Sequence, residues 1–155
     1  MNKKGDHIIF IGMSGAGKTT LGEALSASMN LPFIDTDQEI EKKTGSSIID
    51  IFREDGESKF RSYESGILNQ LFEFPRSVIA VGGGLPCHNN QMELLLNMGD
   101  VIYLKTSVNV LVTRLNNNID FIMLFILTLS FSALSTYGWL SLKGSIIAAS
   151  PSEEI

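Results

Sequence analysis

Gly12-Met13-Ser14-Gly15-Ala16-Gly17-Lys18-Thr19 is the stretch whose reading decides the fold. It fits G-x-x-x-x-G-K-[ST], the phosphate-binding P-loop. Its surroundings agree with that reading. The apolar run His7-Ile8-Ile9-Phe10-Ile11 predicts a buried strand feeding the loop. Thr19 to Met29 predicts a helix, with Leu21, Ala24, Leu25 and Ser28 on one face. Glycines let the backbone curl around an anion with its N–H groups pointing inward, and the helix start adds the positive end of its dipole. In such a loop Lys18 reaches the β- and γ-phosphates of a nucleotide and the Thr19 hydroxyl ligates Mg²⁺.

Working outward, Leu31-Pro32-Phe33-Ile34-Asp35 reads as a turn and a short second strand ending in Asp35-Thr36-Asp37. Carboxylates at the carboxyl end of a parallel strand face the ligand crevice of an α/β sheet. One can hold Mg²⁺ through water while the other accepts a proton from an attacking hydroxyl. The alternative for Asp37 is that it caps a helix running to Lys43. Ser46 to Phe52 and Glu54 to Phe72 carry apolar residues at helical spacing, with Gly56 as a break. Within the second, Arg61 and Glu64 stand i, i+3, and the residues alone favour a surface ion pair over a ligand anchor. Ser77 to Val81 is a third strand running into Gly82-Gly83-Gly84. That triplet allows close approach of a ligand to bare backbone N–H groups, or is simply a flexible turn. Cys87, His88 and His7 have no partners at metal spacing and read as structural. Gln91 to Asn97 predicts a helix with Gly99 just past its end, Val101 to Leu104 a fourth strand, and Val108 to Asn116 a helix carrying Arg114. Alternating strands and helices imply an α/β sandwich, a parallel sheet with helices on both faces.

Composition narrows the class. At 155 residues the chain is one domain by size. A net charge of −5 and a pI near 5.0 argue against nucleic acid as a partner. The single cysteine excludes an internal disulfide and fits a reducing compartment. Met1 to Asp6 and the short run after it do not read as a secretory signal, so a cytoplasmic protein is expected.

In order and spacing, these elements resemble the shikimate kinases, small P-loop kinases that move the ATP γ-phosphate onto a hydroxyl of shikimate. The similarity covers about residues 7 to 120. It rests on Gly12–Thr19, Asp35-Thr36-Asp37, Gly56-Glu57 with Phe60-Arg61 and Glu64, Gly82-Gly83-Gly84, and Val101–Leu104 followed by Arg114-Leu115. The resemblance implies a three-layer P-loop kinase fold for 1–120. It implies ATP and Mg²⁺ as cofactors and shikimate as substrate. Gly12, Ser14, Gly15, Ala16, Gly17, Lys18, Thr19 and Thr20 match the nucleotide side, where Arg114 also falls. Thr19 and Asp35 match the metal residues. Lys18 and Asp37 take the catalytic roles, Asp37 holding the substrate hydroxyl and serving as base. Arg61 matches the arginine that grips the substrate carboxylate, which reverses the surface reading, and Gly82, Gly83 and Gly84 match the backbone lining the substrate pocket.

The similarity then stops. The family continues past its Arg-Leu into a lid with an Arg-Pro pair, which by spacing falls at Phe121 and Ile122. It then has another substrate-binding arginine, a last strand and a last helix. This chain has no arginine after Arg114, and Phe121 to Leu142 is 22 residues without a charge. The segment 121–155 therefore reads as a divergent apolar tail. Three readings of it stand: a shifted reading frame, favoured by the abrupt change in composition; a membrane span, the only route to membrane contact; or a divergent buried completion of the core. Two functions follow: a shikimate kinase impaired by its ending, monomeric if soluble, or a nucleotide-binding protein without kinase activity, held at a membrane by residues 121–142.

Overall fold

A computed structural model describes residues 6–115 and 146–149. The run 121–142, and with it the membrane reading, lies outside the described residues. Among the described residues no helix is long and apolar enough to cross a membrane.

Five parallel strands form one sheet in the order β2-β3-β1-β4-β5. They are β1 (His7–Ile11), β2 (Phe33–Asp35), β3 (Val78–Ala80), β4 (Gly99–Leu104) and β5 (Ile146–Ala149). Among the described residues the helices are α1 (Lys18–Met29), α2 (Thr36–Thr44), α3 (Ile48–Glu54), α4 (Gly56–Leu71), α5 (Gln91–Met98) and α6 (Val108–Leu115), with a 3₁₀ turn at Leu85–Cys87. A parallel sheet covered on both faces needs strands that are apolar throughout, and β1 is the clearest case. Ile9 and Ile11 enter one core with Ile40, Leu68, Ile79 and Leu95. Phe10 enters the other with Val78, Leu104 and Leu111, and Ile8 and Leu25 pack against it. Each such side chain, fully buried, contributes roughly 1.5–3 kcal/mol. The two cores, one on each side of the sheet, make the three-layer α/β sandwich of the P-loop kinases.

Several local readings change. Helix α1 turns Gly22 and Ser26 inward, whereas Leu21 is 44% exposed and Ala24 and Ser28 are exposed. Of the expected face only Leu25 packs inward. The reason is close packing: a Cβ on Gly22 would overlap the Phe33 ring, so the contact face is built from small residues. The cap of α2 is Asp35, not Asp37. Its Oδ1 accepts from the N–H groups of Asp37 (3.1 Å) and Gln38 (3.4 Å). Helix α3 begins after its cap Ser47, and Gly56, with φ of 79°, opens α4 as the expected break. Gly99 both ends α5 and begins β4, two residues earlier than expected. It lies opposite His7, and a Cβ there would overlap the His7 carbonyl.

Strand β5 pairs with β4 from Val101↔Ile146 to Leu104↔Ala149. It lies in the segment where the sequence left three readings open. Because all strands run the same way, β1, β2 and β3 deliver the P-loop, Asp35-Thr36-Asp37 and Gly82-Gly83-Gly84 to one edge of the sheet.

Candidate active site

The P-loop takes its shape from three glycines in the left-handed region: Gly12 (φ 145°), Gly15 (79°) and Gly17 (94°). Side chains rarely adopt those angles. Gly17 caps α1 without any side-chain bond, so the N–H groups of the first turn remain available to an anion. Lys18 lies back over its own loop, its Nζ donating to the carbonyls of Gly12 (2.8 Å) and Met13 (2.9 Å). Burial pushes its pKa down, against the pull of Asp37 and Asp35. From α6, Arg114 reaches across and donates through Nη1 to the Gly15 carbonyl at 3.0 Å. Ser14 is buried and Ala16 belongs to the core, while Thr20 is exposed.

The Thr19 hydroxyl donates to Asp35 Oδ2 at 2.8 Å, and Asp35 Oδ1 holds the start of α2. Both oxygens of this carboxylate are therefore fixed, beside a hydroxyl at the mouth of the loop. Hard oxygen donors of this kind suit Mg²⁺, which takes one or two protein groups and completes its shell with waters and phosphates. Among the described residues no group of three or more His, Cys, Asp and Glu converges as an all-protein metal cage. Asp37, two residues further, has an enclosed Oδ1 without a hydrogen-bond partner. Burial first, and the Asp35 charge second, push its carboxyl up to about 6.

Arg61 stands on α4 and is 9% exposed, so the surface reading of this residue fails. The helical pattern put Arg61 and Glu64 on one face correctly; it could not say that this face docks inward. Arg61 donates from Nε (3.3 Å) and Nη2 (3.0 Å) to Glu57 Oε1, and from Nη1 to Glu64 Oε2 at 2.8 Å. Glu64 is fully buried, and its Oε1 has no partner. Burial pushes Glu64 up to about 7, even though the charge and hydrogen bond of Arg61 both pull it down.

Each glycine of the triplet clears space for one part of the site. A Cβ on Gly82 would stand 2.6 Å from Asp37 Oδ1 and 3.2 Å from Glu64 Oε1. One on Gly83 would press against the N and Oγ of Ser14, and one on Gly84 against the Arg61 guanidinium. The N–H of Gly82 is not bare, as expected, but donates to Thr36 Oγ1 at 3.0 Å. The triplet thus brings the P-loop, α2 and α4 together around one cleft. Ser14, Asp37, Arg61, Glu64 and the three glycines line it, with Ile48, Phe52 and Phe60 as an apolar wall. The Phe52 and Phe60 rings pack 4.6 Å apart, and Arg61 Cζ lies 5.3 Å over the Phe60 ring. Helical spacing marked Ile48, Phe52 and Phe60 only as core. What distinguishes them is where α3 meets α4, which no local pattern encodes. His7 is structural, its Nδ1 accepting from the Ser77 N–H at 3.2 Å. Cys87 ends the 3₁₀ turn, and His88 Nε2 lies 3.8 Å from Glu57 Oε1.

Residues 14–124 match the family described as shikimate kinase. The shikimate kinase of Azobacteroides pseudotrichonymphae is 44% identical over 111 residues, 71% of this chain and 65% of its own length. That of Thioalkalivibrio sulfidiphilus is 46% identical over 108 residues, 70% of this chain and 57% of its own. The chain thus spans less than two thirds of these curated relatives. A solved structure, shikimate kinase from Acinetobacter baumannii in complex with shikimate, superposes with a TM-score of 0.79 at 29% identity. That alignment covers 98% of this chain and 87% of the other. By the extent of the family match and by these relatives, the chain belongs to the shikimate kinase family.

Proposed function

We propose that this chain binds ATP·Mg²⁺ and shikimate and transfers the γ-phosphate to a shikimate hydroxyl. The observation that carries this reading is that Ser14 of the loop and Gly83 line one cleft, so close that a Cβ on Gly83 would stand 3.2 Å from Ser14 N: the phosphate loop and the Asp37–Arg61 cleft share one wall. A nucleotide on the loop would point its terminal phosphate toward whatever fills the cleft. Gly12, Ser14, Gly15, Ala16, Gly17, Thr20 and the α1 N-terminus bind the phosphates, and Arg114 closes over them. Lys18 turns its ammonium from the loop carbonyls to the transferring phosphoryl group.

Arg61 holds the substrate carboxylate, Phe52 and Phe60 flank the ring, and the glycine triplet lets the ring sit close. Asp37 accepts the hydroxyl proton on its enclosed Oδ1 as the substrate oxygen forms a bond to the γ-phosphorus and the bond to the β-phosphate oxygen breaks. A carboxyl raised to about 6 is ionised at neutral pH yet basic enough to take that proton. Thr19 and Asp35 would hold Mg²⁺, which when bound supplies charge neutralisation at the phosphates. The tail, without a lid arginine or a second substrate arginine, slows turnover rather than abolishing binding. A single cysteine, which excludes an internal disulfide, fits a monomeric protein in the reducing cytoplasm.

Calorimetric titration of the full chain with shikimate, with and without an ATP analogue and Mg²⁺, tests the binding half. Saturable binding of both ligands is expected. A chain that binds the nucleotide but takes no shikimate at millimolar concentration would refute it.

A further inference from the structure

Thr36 opens α2 between Asp35, the cap of the helix, and Asp37, and it is fully buried. The helix start does not ask for a hydroxyl there. Asp35 already holds the first turn, its Oδ1 accepting from the N–H groups of Asp37 and Gln38. A valine would match the shape of Thr36 and bury a methyl group in place of the oxygen. The oxygen has a definite partner, however. Thr36 Oγ1 accepts from the Gly82 N–H at 3.0 Å.

The sheet explains why that N–H meets a side chain. The last register pair of β2 and β3 is Asp35↔Ala80, after which the chain turns from β2 into α2. On the other side of β3, the Val81 N–H still donates to the Phe10 carbonyl at 3.1 Å. The Gly82 N–H points to the side where β2 has ended. There the Thr36 hydroxyl takes the place of the ladder carbonyl that β2 no longer supplies. A buried N–H without an acceptor is costly, so the contact holds the glycine firmly.

Asp37 meets the same glycine. The point where a Gly82 Cβ would stand is 2.6 Å from Asp37 Oδ1, and that oxygen has no hydrogen-bond partner to place it. Two consecutive residues of one junction thus grip one glycine, Thr36 at its N–H and Asp37 at its open side. Gly83 follows directly, and a Cβ there would stand 3.2 Å from Ser14 N in the phosphate loop. Beyond the last strand pair, the Thr36–Gly82 hydrogen bond ties the Asp37 junction to the glycines that face the loop.

We propose that Thr36 is a positioning residue for the transfer: its hydroxyl holds Gly82 against the β2–α2 junction and so fixes where Asp37 Oδ1 stands relative to the phosphate loop. Thr36 does not line the cleft and acts through Gly82 and Asp37. This rests on the reading of Asp37 as the base and adds what sets its place.

The test compares, in the full chain, Thr36→Val, which removes the acceptor, with Thr36→Ser, which keeps it and removes a methyl group. Misplacing a reacting group by about 1 Å costs up to about 10²-fold, so kcat in Thr36→Val is expected to fall roughly 10–100-fold. The KM for shikimate and the affinity for ATP are expected to stay within about threefold, the pattern of a loss confined to the transition state. Thr36→Ser, with its hydroxyl, is expected to keep kcat within about threefold of the parent's. A role in packing alone would lower the stability of both variants and leave kcat of the folded chain unmoved. Parent-like kcat in Thr36→Val overturns the proposal, as does a Thr36→Ser slowed equally. If Thr36→Val does not fold, Thr36→Cys replaces it, since a thiol is a weak acceptor, and parent-like kcat there overturns the proposal too. NMR supplies a readout that needs no turnover. With ¹⁵N-glycine and ¹³C-aspartate labels at one pH, the Gly82 amide and the Asp37 carboxyl carbon are expected to shift in Thr36→Val and not in Thr36→Ser. An Asp37 signal unmoved in Thr36→Val overturns the proposal. A parent that phosphorylates no shikimate refutes the proposed function, and the Asp37 signal then decides this inference by itself.

Discussion

Replacing Arg61 by methionine should destabilise the chain by an amount that grows with pH. Among the described residues Arg61 is the cation hydrogen-bonded to Glu64, which is fully buried and already raised to about 7. Arg61 lowers Glu64 both by charge and by hydrogen bond, so in Arg61→Met the Glu64 carboxyl rises further. The sign follows from proton counts. Between about 7 and the variant's higher value, the folded variant keeps a proton that its unfolded chain has released, so its stability falls as pH rises. The parent has already lost that proton and is insensitive to Glu64 there. Each pH unit in this window should widen the difference by about 1.4 kcal/mol. Asp37, which Arg61 also lowers, shifts in the same direction. Glu57 is half exposed, so water solvates its charge when Arg61 is gone. The extra loss at about pH 8.5 relative to about pH 6 is therefore roughly 2 kcal/mol, less than the 3–5 kcal/mol typical of breaking a buried pair. Urea melts of parent and variant at the two pH values and fixed salt measure it. Adding Glu64→Gln to the variant should flatten the difference. A loss equal at both pH values, or larger at the lower one, would refute the reasoning.

Other outcomes are as specific. Lys18→Ala should weaken ATP binding at least roughly tenfold, since it removes the ammonium nearest the phosphates; calorimetry giving equal affinities would contradict this. Asp37→Asn should keep shikimate affinity within a few-fold while lowering kcat by about 10²–10⁴, the usual share of a general base; steady-state kinetics separate the two parameters. Gly99→Ala should destabilise by roughly 3 kcal/mol or more, because its Cβ overlaps the His7 carbonyl and forces β1 from β4; an unchanged thermal melt would show that the strands part easily.

The order of elements was legible because it is written locally. Gly12–Thr19 names its own conformation, and His7–Ile11 and Ser77–Val81 are apolar runs of strand length. The resemblance to the family carried Arg61 to the site, where its spacing alone suggested the surface. What the residues could not give is docking. Helix α1 hides Gly22 and Ser26 because Phe33 lies against it, and no hydrophobic period marks a face made of small residues. Asp35 rather than Asp37 caps α2 because the strand ends one residue before the helix begins, and the carboxylate of the junction residue reaches the first free N–H groups. The Arg61–Glu64 pair itself is local to α4, but the burial that pushes Glu64 up exists only once that face of the helix docks inward. The strand at Ile146–Ala149 escaped notice because it follows a charge-free run that masks strand and helix periods alike.

The measurement that bears most directly on the central claim is phosphorus NMR of the full chain incubated with ATP, Mg²⁺ and shikimate. One phosphorylated shikimate should appear for each ATP consumed. Turnover should be about a thousandfold below that of a complete family member, the scale of losing an arginine that stabilises the transferring phosphoryl group. Saturating ATP and shikimate with no phosphate ever appearing on shikimate would contradict the account.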